Sequence, residues 1–189
     1  MAFWTESLTS EPKRNFRFQI TIGGFANKEG SDQQSVVWWA KKVTKPNFTI
    51  AEGKHVYLGH TFYYPGKVEW QEISMTLVDP VTPNGGAILM DLITQSGYVL
   101  PNKTEGSPKT LSKGKFGADA SGLGSFVIDQ INSDGESIEK WTLHGPFIKS
   151  LKFGDLDYEN EDLSNIEMGI RYDWAECNTA NTEFFQSSS

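Results

Sequence analysis

Few side chains in this chain are placed to do chemistry. Its histidines are His55, His60 and His144, and its one cysteine is Cys177. His55 and His60 have no cysteine beside them and lack the spacing of a zinc site, so surface or packing roles suit them better. His144 with a nearby acid is the one place where a hydrolase could be built, but no Gly-x-Ser-x-Gly elbow accompanies it. Cys177 has no internal disulfide partner, which fits folding in the cytosol, and it reads as a passive thiol. Gly122-Leu123-Gly124 resembles a piece of a dinucleotide loop. It leads into a strand, however, and offers no helix N-terminus to a phosphate. Lys113-Gly114-Lys115 could touch an anion or simply be solvated. The run Asp155–Asp162 has the clustered oxygens of a calcium loop without the ordered spacing or central glycine of an EF-hand. A solvated turn, or an acidic rim that repels phosphate, suits it better. The expectation is a protein that is not an enzyme and holds no metal and no cofactor.

The elements that must position these residues are mostly strands. From Ile166 to Trp174 every even position is large and apolar, and every odd one is charged or glycine. A period of two marks a strand with one buried and one polar face. Phe16, Phe18, Ile20 and Ile22 alternate in the same way with Arg17, Gln19 and Thr21, predicting a strand from Arg14 to Ile22. Ser35–Val43 is a second strand, with a non-alternating run that suits cover on both faces. Pro46–Tyr64 is too apolar for a solvated loop and reads as a hairpin that packs on something. Lys67–Asp79 changes parity at Gln71-Glu72, where a β-bulge would let both halves face one core. Ile88, Leu89, Leu92 and Ile93 predict an amphipathic helix over Gly86–Ser96, stopped at Gly97. Phe126–Ile131 and a return strand with Ile138, Trp141 and Leu143 flank the turn Asn132–Gly135. Phe147–Phe153 is a further short strand.

Strands, one helix and more strands make a mainly β, α+β domain: an antiparallel β-sandwich or barrel with one packed α-helix. The domain spans 14–176, with an N-terminal arm at 1–13, a loop at 47–64, an insertion at 101–122 and a C-terminal tail at 177–189. A length of 189 residues suits one domain with a core and extended arms. The net charge of -7 argues against a surface that grips nucleic acid through its phosphates. No apolar run is long enough to span a bilayer, and Met1–Ser7 lacks the basic and apolar regions of a secretory signal. No membrane insertion is expected.

The ordered set of segments resembles the tail tube proteins of T4-like contractile-tailed bacteriophages. Arg14-Asn15-Phe16-Arg17-Phe18 is similar to that family's opening strand. Lys41–Pro46 is similar to the strand end before its long loop, and Tyr64–Leu77 to the strand that returns. Trp141–Phe147 and Ile166–Trp174 resemble later strands. Loops 24–34 and 101–122 depart from the shorter family members and have no assigned role.

The resemblance implies a tube of stacked homo-hexameric rings, in which sheets of six subunits join into an inner β-barrel. Genomic DNA passes through it without specific binding. Sheath subunits surround it, and baseplate and tail-terminator proteins close its ends. The type VI secretion tube protein shares the fold. The implied location is the virion tail, assembled in the host cytoplasm. Phe48, Ile50, Val56, Tyr57, Leu58, Phe62 and Tyr63 would then form the contact between rings, unless they fold back on their own domain. Arg17, Gln19, Lys41, Glu69, Glu167 and Arg171 would lie in the sheet shared between subunits. An acidic conduit would discourage DNA from adhering.

Three other readings stand beside this one. The first is a tube-initiating baseplate protein of the same fold. The second is a monomeric ligand-binding β-sandwich, stacking sugars on Trp38, Trp39, Trp70 and the Tyr63-Tyr64 pair. The third is a hydrolase built on His144.

Overall fold

The computed structural model describes residues 12–23, 40–81, 84–98, 110–113, 123–159, 161–179 and 182–183. The expected loop 24–34, most of the insertion 101–122, residues 1–11 of the arm and much of the tail lie outside them. Eleven strands and one helix are described: β1 Phe18–Ile22, β2 Ala40–Val43, β3 Phe48–Tyr57, β4 His60–Trp70, β5 Ile73–Val78, α1 Gly85–Gln95, β6 Phe126–Ile131, β7 Ser137–His144, β8 Phe147–Phe153, β9 Asn165–Arg171, β10 Trp174–Thr179 and β11 Thr182–Glu183. They form a first sheet in the order β1-β6-β7-β10-β11, a second in the order β2-β5-β9-β8, and a separate hairpin β3-β4. All pairings are antiparallel. The expected mainly β fold with one helix is therefore what the chain adopts. Within one chain it is a two-sheet arrangement, and neither sheet closes on itself.

The period-two faces meet between the sheets. Ile20, Ile22, Phe126, Ile128 and Leu143 from the first sheet share one buried cluster with Ile73, Met75, Ile166, Met168 and Ile170 from the second. Leu89 and Leu92 of α1 join it. Asn84 caps that helix, its Oδ1 accepting from Ala87 N–H at 2.9 Å. Gly97 follows with a φ of 109°, the left-handed stop expected of it. Replacing Asn84 by Ala removes that cap and should cost about 1 kcal/mol, read as a lower melting temperature with an unchanged far-UV spectrum.

The strands depart from the sequence reading in three places. The first does not begin at Arg14: Arg17 N–H donates back to Arg14 C=O at 3.3 Å in a turn, and Phe16 is exposed. Of the second, the described part is only Ala40–Val43, and 35–39 lie outside the described residues. Lys67–Asp79 is not one bulged strand. β4 ends at Trp70 and β5 begins at Ile73 in another sheet, so Val68 is exposed while Ile73 is buried. Last, Ile166–Trp174 spans a corner. Tyr172 is still buried, but Trp174 opens β10 in the first sheet and is half exposed. In both of the last two cases the chain changes sheet: at a parity change in the first and with the apolar spacing continuing in the second. Cys177 sits inside β10, opposite Trp141.

Candidate assembly surfaces

The β3-β4 hairpin stands out from the domain. Every residue from Phe48 to Glu69 is exposed. Its base is tied down by Trp70, whose ring meets Phe48 edge-on at 5.0 Å and Tyr172 at 5.9 Å. Cross-strand pairs share a face, so the register sorts the remaining side chains. Phe48/Trp70, Ile50/Val68, Glu52/Pro65, Lys54/Tyr63 and Val56/Thr61 lie on one face. Gly53/Tyr64, His55/Phe62 and Tyr57/His60 lie on the other. Opposite Ala51 the chain carries an extra residue at Gly66-Lys67, and a Cβ on Gly66 would stand 2.8 Å from Ala51 O. Both faces of the hairpin are apolar, and neither folds back on the described domain. Phe48 touches the core only through Trp70, and Ile50, Val56, Tyr57, Leu58, Phe62 and Tyr63 are exposed in the single chain.

The tip is Leu58-Gly59, with φ values of 48° and 79°. Both being positive gives the tight primed turn that suits twisted strands. Leucine is a poor choice there, since a Cβ in the left-handed region costs about 1–2 kcal/mol. Leu58 is also 81 % exposed, so its own fold gains nothing from it. Nothing in the described core accounts for a strained, exposed apolar side chain at this tip. Leu58→Asn should raise the melting temperature slightly and weaken self-association, measured by calorimetry and sedimentation on the same samples.

The expected shared-sheet residues are divided. Lys41, Glu167 and Arg171 belong to the second sheet and Gln19 to the first. Arg17 precedes β1, its carbonyl accepting from Ile131 N–H at 3.2 Å. Glu69 lies at the hairpin base, 3.5 Å from the Arg171 guanidinium. On the polar face of the second sheet, Lys42, Thr76, Glu167 and Lys152 stand in one cross-strand row. Gly169 lies on the same face beneath Glu72 and Ser150, whose side chains would collide with any Cβ there. Lys149 pairs with Glu72.

One polar cluster was not foreseen. Glu139 is buried in β7 and accepts from Lys13 Nζ, from Lys45 Nζ at 2.6 Å and from Trp141 Nε1 at 2.6 Å. Burial pushes its carboxyl up, but the hydrogen bonds from Lys13, Lys45 and Trp141 outweigh that and hold it at about 2. Lys45 also donates to Gln130 Oε1 at 2.6 Å. The cluster joins the segment before β1, the β2-β3 connection and the first sheet. Burial and the Glu139 charge raise the nearby Cys177 thiol, which keeps it protonated.

The candidates for chemistry do not converge. His55 and His60 stand on the hairpin tip. The His144 ring lies flat on Trp174, centroids 4.9 Å apart and planes 10° from parallel. Its Nε2 is 3.2 Å from Glu176 Oε1 but makes no hydrogen bond. That contact packs the imidazole and does not aim it for proton transfer. Among the described residues no three His, Cys, Asp or Glu side chains could hold a metal ion. Tyr63 and Tyr64 point to opposite faces of the hairpin, and Trp70 is engaged at its base, so these rings build no common sugar platform. Trp38 and Trp39 lie outside the described residues. No described helix is long and apolar enough to cross a membrane.

The described residues form a two-sheet, mainly β domain with one helix and a projecting apolar hairpin. No family model matches the sequence, and no curated protein matches it. Solved structures do. A chain from the sheath/tube terminator of an extracellular contractile injection system (PVC) in the extended state aligns with a TM-score of 0.62 and 15 % identity, covering 90 % of this chain and 99 % of that one. A chain from the tube-terminating cap of the anti-feeding prophage (AFP) aligns with a TM-score of 0.60 and 18 % identity over 95 % and 100 %. One from the PVC sheath-tube complex gives 0.58 and 16 % over 91 % and 95 %. The resemblance to tube proteins drawn from the sequence is thus met at the level of fold.

Proposed function

We propose that this chain is a non-enzymatic subunit of the tube in a contractile phage tail, assembling as stacked hexameric rings that conduct DNA. One observation carries the reading: a hairpin with two exposed apolar faces and a strained apolar tip, projecting from a two-sheet core. Exposed apolar area of that extent marks an interaction surface. The fold likeness to chains of contractile-system tube, cap and baseplate structures supports it. In this reading the hairpin contacts the adjacent ring. The sheets of six copies join at their outer strands into the inner barrel, which removes exposed edges. Sheath subunits lie outside, baseplate and terminator proteins bind the ends, and the assembled protein resides in the virion tail.

A second reading has the same chain ending the tube, as initiator at the baseplate or as terminator. It is favoured by the likeness to chains from the AFP baseplate and cap. Electron microscopy of the purified full chain tests both. Six-fold rings that grow into tubes support the shaft subunit, and single rings that do not grow support an end ring. A strict monomer at high concentration with tube ends supplied as seeds overturns both.

A further inference from the structure

The connection that follows β8 alternates acids with apolar side chains: Asp155, Leu156, Asp157, Tyr158 and Glu159, then Leu163. Asp157 Oδ1 accepts from Glu159 N–H at 3.0 Å and shapes the turn. Leu156 is 93 % exposed and Tyr158 fully exposed, so neither serves its own core. A solvated turn needs no such residues. At the opposite side of the second sheet lies a complementary surface. Between β1 and β2 runs a groove of about 370 Å³, lined by Phe18, Val43 and Ile128, with Lys41, Lys42 and Lys45 along it. Lys45 is held by Gln130 and Glu139, and Lys41 Nζ is 3.5 Å from Asn165 Oδ1. Lys42 is exposed.

We propose that the acidic loop of one copy docks into this lysine-flanked groove of the next. Leu156 and Tyr158 fill the apolar floor, while Asp155 and Asp157 meet Lys41 and Lys42. Apolar burial supplies the affinity, and the opposed charges fix register and reject misaligned copies. β8 and β2 are the two outer strands of one sheet, so the loop and the groove lie on opposite sides of each copy. Such a contact is head-to-tail, and when its rotation closes it generates a ring. The inference deepens the ring reading and rests on it.

Charge exchange tests it. Lys41→Glu with Lys42→Glu should raise the concentration for half-assembly at low salt by at least about ten-fold, read by sedimentation velocity. The same pair combined with Asp155→Lys and Asp157→Lys in one chain should restore assembly, because every head-to-tail contact then carries both reversals. Thermal melts should fall only slightly: the four side chains are exposed, and the reversals give up the Asp157 bond to Glu159 N–H, the Lys41 contact with Asn165 and the Asp155 pair with Lys152. As a second measurement, Cys at 42 and 157 in a Cys177→Ser background should give an oxidised ladder of linked chains. Rings that ignore the charge reversals and yield no ladder overturn the docking while leaving the tube reading standing. Native chains that neither assemble nor, with the cysteine pair, cross-link at high concentration with tube ends supplied as seeds overturn both.

Discussion

Chains carrying Tyr57→Asp and Phe62→Asp will fail to assemble at concentrations where the native chain forms rings, and will melt at the native temperature. The two positions share one hairpin face, two rungs apart on the ladder. Both are exposed in the single chain, so folding loses little when they change. Assembly loses the burial of two aromatic side chains, about 1.5–3 kcal/mol each, and must then bury carboxylates without partners. Together these should weaken each contact by more than about 100-fold. Sedimentation and electron microscopy read the assembly, and calorimetry reads the fold. Normal rings from the double variant would remove the hairpin from the interface. A collapsed melt would mean that these rings serve the chain's own stability.

The period-two pattern was enough to find the core strands. Ile73, Met75 and Leu77, and Ile166, Met168 and Ile170, carry their burial in their spacing. The spacing of Ile88, Leu89, Leu92 and Ile93, with Gly97 as the stop, likewise places the helix within a residue of its observed ends. What spacing cannot carry is sheet membership. The parity change at Gln71-Glu72 is the same in sequence whether a bulge keeps one sheet or a corner joins two. Trp174 continues the even-numbered series beyond Tyr172 although the chain has already left the second sheet. Phe16 has the right parity for the first core face, but the turn at Arg14–Arg17 takes it out of the strand. Parity is local, and the corner is decided by which distant strands pair.

The exposed hairpin was legible in outline. The apolar excess over Pro46–Tyr64 marked it, and the register shows that its apolar side chains lie on both faces and continue to Val68. The Glu139 cluster was missed because its partners lie far apart in the chain. Lys13, Lys45 and Glu139 meet only once the two sheets stack. A signal was present nonetheless. Glu139 shares its parity with Trp141 and Leu143, and an acid at a core position requires a counter-charge.

That cluster sets the fold's acid limit, and Glu139→Gln exposes it. The unfolded carboxyl titrates at 4.5, the native one at about 2. A depressed native value means that the ionised form favours folding. Its contribution of about 3 kcal/mol is complete above pH 4.5 and disappears as pH falls through about 2. Glutamine keeps the shape but offers Lys13 and Lys45 no charge. At pH 7 the variant should therefore be less stable by about 3 kcal/mol, a large share of the roughly 5–15 kcal/mol that holds a domain together. Other carboxylates titrate in the same range, so the difference between the two chains is the quantity to follow. Urea unfolding in steps from pH 7 to pH 2.5 should show that difference shrinking once pH passes below 4.5. A gap that stays constant throughout would mean that the lysines and Trp141 stabilise the fold through packing alone, with no part played by the Glu139 charge.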